Sequence, residues 1–104
     1  MLDPKVFNAI DPTLKAKHKF AIVAHVIDAG GAISFTDLLA RHDINKATLS
    51  EYKGYLAKAG YIEVMRTING FHPRTMLVIT PEGRDRFARH CEAFRRIAEA
   101  VTGK

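Results

Sequence analysis

Apolar residues in the first third of the chain recur at the spacing of an α-helix. The apolar positions of this stretch are Ala16, Phe20, Val23 and Ile27, with Ile22 and Val26 widening the same face. This pattern predicts a helix from Pro12 to about Ala29, ended by Gly30-Gly31 and buried over its second half. Asp-Pro pairs at 3–4 and 11–12 are typical helix starts, so a short turn over residues 4–9 is expected before it.

Two further helices follow at short range. Ser34-Phe-Thr-Asp37 resembles a capping box and opens a helix that ends near Arg41-His42, after a stub of strand at 32–34. Asn45 is a good N-cap for a third helix from Lys46 to Ala59, whose Leu49 and Leu56 face inward. Two such helices joined by about four residues predict a helix-turn-helix.

After Gly60 the apolar period changes to that of a strand. Residues 61–67 alternate, Asn69-Gly70 is a turn signal, and residues 75–80 form the return strand. Pro73 predicts a connection longer than a two-residue turn, projecting from the sheet. Thr80-Pro81 caps a last helix that runs to about Val101.

Composition fits one globular domain. The 104 residues are 47% hydrophobic and 26% charged, and no apolar run reaches the ~18 residues of a membrane span. The first residues lack the basic and apolar regions of a signal peptide, and the single cysteine, Cys91, forms no internal disulfide. A cytoplasmic, membrane-free protein is therefore expected.

The net charge of the chain and its distribution indicate the class of partner. Lysine and arginine number 16 against 11 acidic residues, a net charge of +5. The last helix nearly neutralises itself, so the excess lies on the first helix and around the third helix and the hairpin. A polyanion is the partner that this distribution favours.

A helix-turn-helix followed at once by a hairpin is the winged-helix arrangement, and three segments carry a closer likeness. Residues 45–64 (NKATLSEYKGYLAKAGYIEV), 70–75 (GFHPRT) and 77–84 (LVITPEGR) resemble small MarR/ArsR-like winged-helix transcriptional regulators, and the likeness covers about residues 11–96. It implies an α+β fold, namely a winged helix-turn-helix of three helices and a two- to three-stranded β-wing, with a C-terminal dimerisation helix. The expected division is an N-terminal segment (1–10), the DNA-binding domain (11–80) and the dimerisation helix and tail (81–104).

The resemblance also implies sequence-specific binding of double-stranded DNA by a homodimer. The recognition helix, 46–59, enters the major groove, and the wing, 66–75, lies on the minor groove or backbone. The candidate DNA-binding residues are Lys46, Ala47, Thr48, Ser50, Lys53, Arg41, Arg74, Lys15 and Lys17. Short side chains near the helix N-terminus allow close approach to base edges, and lysine and arginine suit phosphate. Thr48 and Ser50 also fit an ordinary solvated face, and Tyr52 and Tyr55 fit either DNA contact or internal packing.

Some positions depart from the family pattern. The family often has a basic residue at the position of Glu51 and an apolar residue near Lys53. Gly54 weakens the interior of the third helix. In the wing, Phe71 and His72 replace residues that are commonly basic. These departures keep a second function open, a winged helix that binds a protein partner.

The last helix carries a heptad-like apolar seam, spaced four, three, four and three. Its members are Phe87, Cys91, Phe94, Ala98 and Val101. We interpret this seam as a dimerisation element, the alternative being packing on the chain's own first helix.

Signatures of catalysis are missing from the sequence, so no enzyme, cofactor or metal site is expected. Asp85 and Glu92 fit a salt-bridged surface, and His18 and His25 stand about 10 Å apart along one helix, too far to share an ion unaided. A third interpretation, a ligand- or redox-sensing regulator using Cys91 or His90, stays open, with any small-molecule effector unknown.

Overall fold

The computed structural model describes residues 2–70 and 72–103 and has the architecture of a winged helix. Two short 3₁₀ helices, Pro4–Ala9 and Pro12–Leu14, open the chain. The remaining elements are α1 (Lys17–Asp28), β1 (Ala32–Ser34), α2 (Phe35–Arg41), α3 (Lys46–Lys58), β2 (Ile62–Asn69), β3 (His72–Ile79) and α4 (Pro81–Thr102). The predicted helix-turn-helix, hairpin and terminal helix are all confirmed.

Side-chain caps set the starts of three helices where the sequence predicts them. The Ser34 hydroxyl accepts a hydrogen bond from the Asp37 N–H at 3.1 Å and begins α2. The Asn45 amide oxygen accepts from the Thr48 N–H at 2.8 Å and begins α3. The Thr80 hydroxyl accepts from the Gly83 N–H at 2.8 Å and begins α4. Each cap satisfies a backbone donor that a helix start leaves free.

The predicted start of the first long helix is wrong. Asp11 does cap a helical turn, but that turn is the 3₁₀ helix Pro12–Leu14, and α1 begins at Lys17. Ala16 between them is extended, with φ −86° and ψ 138°. The break turns Leu14 into the core, where it is 3% exposed, so tertiary burial overrides the helix propensity of residues 12–16.

The core lies where α1, α3 and the sheet meet. Its side chains come from every element except the first 3₁₀ helix, and those with no exposed surface are Ile22, Val23, Val26, Leu38, Leu49, Leu56, Tyr61 and Leu77. Leu49 and Leu56 face inward, as their seven-residue spacing predicts. This packing fixes α3 against α1 and leaves its opposite face in solvent.

The sheet has the order β1-β3-β2 and is antiparallel throughout. The β2–β3 register extends to Asn69 opposite His72, so two residues separate the strands, and the predicted longer loop is wrong. Pro73 pairs with Ile68, one step from the turn, where residues of a tight hairpin exchange no hydrogen bonds. The Pro73 nitrogen, which carries no hydrogen, faces away from β2 and toward the side of β3 where β1 lies. β1 pairs only with residues 76–78 of β3, so no strand among the described residues lies opposite this nitrogen. The proline therefore costs no ladder bond.

A polar network joins α4 to the rest of the domain. Arg86 Nε lies 2.9 Å from Asp11 Oδ2, and its Nη1 donates to the Ala59 carbonyl at the end of α3. The Tyr61 hydroxyl donates to the same Asp11 carboxylate. The Asp11 N–H in turn donates to Nδ1 of His90 at 2.9 Å. These bonds hold the N-terminal segment, the end of α3 and α4 together.

Candidate nucleic-acid interface

A shallow groove of about 320 Å³ lies between the N-terminal half of α3 and the start of β3, next to the turn of the hairpin. Side chains from α2, α3 and β3 line it: Phe35, Thr36, Lys46, Ser50, Lys53, Pro73, Arg74 and Thr75, together with Ser34. Four of the nine predicted DNA-binding residues, Lys46, Ser50, Lys53 and Arg74, thus meet at one site.

The cations of this groove are available to a ligand. None of the ion pairs found among residues 2–70 and 72–103 involves Lys46, Lys53 or Arg74, since all of them use arginines of α4. The Lys53 ammonium lies 5.2 Å from the centre of the Phe35 ring, so the contact recorded for it there is with an aromatic face and keeps its positive charge. Three positive groups beside a helix N-terminus form a favourable environment for phosphate.

The face of α3 toward solvent is formed by small and polar side chains. Lys46, Ala47, Ser50 and Glu51 are exposed, whereas Thr48 is half-buried and its N–H is occupied by the Asn45 cap. A major groove about 12 Å wide admits such a face closely. Glu51 is the acidic group on this surface and opposes phosphate there.

Lys15 and Lys17 line a different groove. This second cavity of about 510 Å³ lies between residues 14–21 and α4, and its apolar walls include Phe20, Cys91 and Phe94. Arg41 is exposed at the end of α2 and does not line the first groove. The structure therefore separates these three residues from the cluster formed by Lys46, Lys53 and Arg74.

Tyr52 and Tyr55 pack toward α1. The Lys19 ammonium lies 3.8 Å from the centre of the Tyr55 ring and 5.5 Å from that of Tyr52. Tyr52 also contributes to the margin of the core, whereas Tyr55 is 44% exposed. Internal packing is thus the interpretation that the contacts of both rings support.

The wing is exposed and partly apolar. Ile68, near the turn, is 79% exposed, and Met65 is 49% exposed. His72 and Arg74 are exposed on the return strand. Phe71, on which the protein-partner hypothesis partly rests, lies outside the described residues.

The seam of α4 divides into two parts. The Phe87 ring stacks on Phe20 at 5.2 Å, so this end packs on the chain's own α1. Cys91 is half-buried, and burial raises the pKa of its thiol, which disfavours the reactive thiolate. Phe94 is 49% and Val101 64% exposed, and Ala98 is exposed beside them.

Sequence reasoning missed His42, which lies at the end of α2 within hydrogen-bonding distance of His18, 2.8 Å between ring nitrogens. It also missed the bond between Asp11 and Arg86, because 75 residues separate the two along the chain. Within residues 2–70 and 72–103 no three histidine, cysteine or acidic side chains are placed to hold a metal ion.

A profile of the winged helix DNA-binding domain matches residues 19–98. The chain belongs to this family. Residues 19–98 include the whole helix-turn-helix, the wing and most of α4. No protein with a curated description matches the chain. Among the helices described by the structure, none is long and apolar enough to cross a membrane.

Solved structures of transcriptional regulators share the fold of this winged-helix protein. A transcriptional regulator homologue from Pyrococcus horikoshii OT3 superposes with a TM-score of 0.85 at 15% identity, over 95% of this chain and 98% of that one. A protein from Enterococcus faecalis V583 assigned to the MarR family superposes with a TM-score of 0.73 at 19% identity, over 100% of this chain and 96% of that one. The organohalide-sensing RdhR regulator bound to 2,4-dichlorophenol gives 0.75 at 17% identity, with 95% of this chain covering 58% of that one. The expected likeness to MarR-like regulators is thus confirmed at the level of the fold.

Proposed function

We propose that this winged-helix protein is a cytoplasmic transcriptional regulator that binds double-stranded DNA sequence-specifically as a homodimer and catalyses no reaction. The observation that carries the proposal is the groove where Lys46, Lys53 and Arg74 converge, none of them in an ion pair within residues 2–70 and 72–103. α3 enters the major groove, and the wing follows the adjacent backbone or minor groove.

The placement of charge supports a division of roles. Lys46 at the first turn of α3 and Arg74 on the wing approach phosphates from the same side of the recognition helix. Ala47 and Ser50, exposed on the first half of α3, are short enough to let the helix approach base edges. Lysine and arginine therefore supply affinity and register, and the small face of α3 supplies sequence preference.

Salt dependence of binding tests the DNA-binding proposal. Log affinity for a duplex pool should fall steeply with log salt, because each neutralised phosphate releases counterions. Lys46→Ala and Arg74→Ala should each reduce the slope by about one unit. Lys5→Ala, on the N-terminal 3₁₀ helix against α4, is the matched control and should leave the slope unchanged. Binding that is undetectable at low salt, or binding whose affinity does not change with salt, would contradict the proposal and favour a protein-binding winged helix.

The exposed end of α4 supports the dimer. Phe94, Ala98 and Val101 continue the heptad-like seam beyond the point where Phe87 packs on α1. The helix has 22 residues and so extends about 33 Å, long enough to pair along its exposed half. Pairing there presents two recognition helices to half-sites about one DNA turn apart.

Sedimentation equilibrium measures the oligomeric state directly. Val101→Glu should convert the dimer to a monomer without loss of helix content, because Val101 contacts solvent in the isolated chain. Ala88→Glu, also exposed on α4, should leave the dimer intact. A wild-type monomer at micromolar concentration would contradict the dimer but not DNA binding.

The apolar groove between residues 14–21 and α4 favours a second candidate function, an effector-sensing regulator. Its walls are mostly apolar, and Lys15 and Lys17 supply positive charge at its edge. One structural neighbour was solved with 2,4-dichlorophenol and another, NadR, with 4-hydroxyphenylacetate. Either compound should raise the melting temperature of the wild-type protein but not of Ala21→Trp, in which the larger ring fills the groove.

A further inference from the structure

Three histidines converge behind the helix-turn-helix. Nδ1 of His18, on α1, lies 2.8 Å from Nε2 of His42, the residue that ends α2. The ring of His25, two turns further along α1, has its centre 5.4 Å from that of His42. We call these three residues the histidine cluster. His42 inserts between the two histidines of α1 and bridges a spacing too long for direct contact.

The cluster is half-buried and lies among positive groups. All three rings are partly shielded from solvent. Burial lowers the pKa of His42, and the charges of His18, His25 and Lys17 lower it further, whereas Asp43 on the turn opposes the shift. On the side of α3, the ring of Tyr52 lies 6.4 Å from that of His18. Burial and the three neighbouring positive groups therefore outweigh Asp43 and disfavour a positive charge on His42.

Proton counting limits what the His18–His42 contact tolerates. A hydrogen bond between two imidazole nitrogens needs one N–H donor and one unprotonated acceptor. The first added proton can occupy the outer nitrogen of the donor ring, which leaves the bond intact. With two added protons both facing nitrogens carry hydrogen, the bond is lost, and two cations face each other. The contact thus survives one added proton and fails with the second.

The position of His42 couples this contact to the recognition helix. His42 ends α2, and Asn45, the cap of α3, follows three residues later. We propose that the histidine cluster is a proton-sensitive latch that holds α3 in its binding position near neutral pH and releases it in acid. In this proposal, loss of the His18–His42 bond frees the α2–α3 turn from α1 and lets the N-terminal half of α3, which carries Lys46 and Ser50, shift.

The sign of the effect follows from the direction of the shift. Because the pKa of His42 is lowered in the folded protein, its neutral form contributes stability above about pH 6.5, and that contribution is lost as the pH falls through the lowered value. Acid also adds positive charge, which strengthens sequence-independent binding to DNA. The latch therefore predicts a fall in specific binding while nonspecific binding holds or rises.

The test compares two duplexes between pH 7.5 and 5 at constant ionic strength in EDTA. One is the duplex enriched by selection from a random pool, and the other is a scrambled duplex of the same length. For the wild-type protein, the ratio of the two affinities should fall by about tenfold or more, since each linked proton gives up to about tenfold per pH unit. For His42→Gln, whose side chain stays neutral at every pH of the series, the ratio should fall by less than about threefold. His90→Gln, on α4 outside the histidine cluster, should keep the wild-type response.

A second measurement separates the latch from the proposed function, on which its regulatory role rests. Carbon-proton correlation spectra of the imidazoles, recorded without DNA, should show the His42 resonances changing with pH in two steps, and in one step in His18→Gln, because the ring that faces His42 is then gone. A single-step titration of His42 in the wild-type protein would overturn the latch even where DNA binds. A pH response that His90→Gln abolishes and His42→Gln retains, or one that appears only with zinc present, would also overturn it. If no duplex binds, the proposed function fails, and the coupled titration still decides whether the latch exists.

Discussion

Gly83 lies where α4 crosses the start of β2, and adding one methyl group there should destabilise the protein strongly. A Cβ on Gly83 would lie 2.2 Å from the Tyr61 carbonyl oxygen and 2.8 Å from the Tyr61 Cα. The obstructing atoms are backbone, held by the hydrogen bond from the Thr80 N–H to the same carbonyl at 3.0 Å. They have no side-chain rotation by which to move aside.

The magnitude follows from two opposing effects. Alanine favours a helix over glycine by about 1 kcal/mol, whereas overpacking costs typically about 1–3 kcal/mol. A contact of 2.2 Å against backbone belongs at the upper end of that range, so Gly83→Ala should lower the free energy of unfolding by about 2 kcal/mol. For a domain of this size the melting temperature should fall by about 8–16 °C.

Gly54 provides the matched control. It lies in the interior of α3, is exposed, and a Cβ there meets no atom within 4 Å. Gly54→Ala should therefore raise stability by about 1 kcal/mol. Urea unfolding followed by circular dichroism measures both variants. If Gly83→Ala were as stable as Gly54→Ala, the close packing of α4 on Tyr61 would be refuted.

Three further outcomes test other contacts. Burial raises the pKa of Asp11, but hydrogen bonds from Tyr61 and Arg86 outweigh burial and lower that pKa to about 2. About 2 kcal/mol of stability should therefore be lost as the pH falls from 4 toward 2, where the carboxylate takes up its proton. Asp11→Asn should flatten this loss in acid unfolding curves. Thr80→Ala should cost about 1–2 kcal/mol in urea unfolding, since the hydroxyl caps α4 and donates to the Gly60 carbonyl, and Thr80→Ser should recover most of it. The wild-type protein should bind DNA equally in oxidised and reduced buffer, as Cys91→Ser does, because a half-buried thiol with a raised pKa reacts slowly. A redox response in the wild type that the variant lacks would contradict this.

Local signals in the sequence were sufficient for the order of elements. Ser34, Asn45 and Thr80 each cap the helix that their position predicts, because a cap depends on residues within one turn. The inward face of α3 followed from the spacing of Leu49 and Leu56 for the same reason.

Errors arose where distant residues decide the local conformation. Residues 12–16 have a helix-compatible composition, yet Leu14 and the Asp11 network fix a 3₁₀ turn and an extended Ala16 there. Pro73 is harmless in a tight hairpin because its missing N–H faces away from β2, which depends on strand register. Register is set by packing across the whole sheet.

The candidate site was predictable in part. Residue type and position on α3 pointed to Lys46, Ser50 and Lys53, and the wing pointed to Arg74. The separation of Lys15 and Lys17 from these residues depends on where α4 crosses α1, a tertiary contact that no local pattern contains. His42 was missed for the same reason, since its partners lie on another helix.

Selection of bound sequences from a pool of random duplex DNA tests the central claim most directly, because the pool contains every candidate operator and the protein itself chooses among them. The proposed homodimer predicts enrichment of two inverted half-sites whose centres lie about 10 base pairs apart. Lys46→Ala should weaken that enrichment, and Lys5→Ala should not. A pool that stays random after repeated rounds at low salt would contradict sequence-specific DNA binding, and a single unpaired half-site would contradict the homodimer.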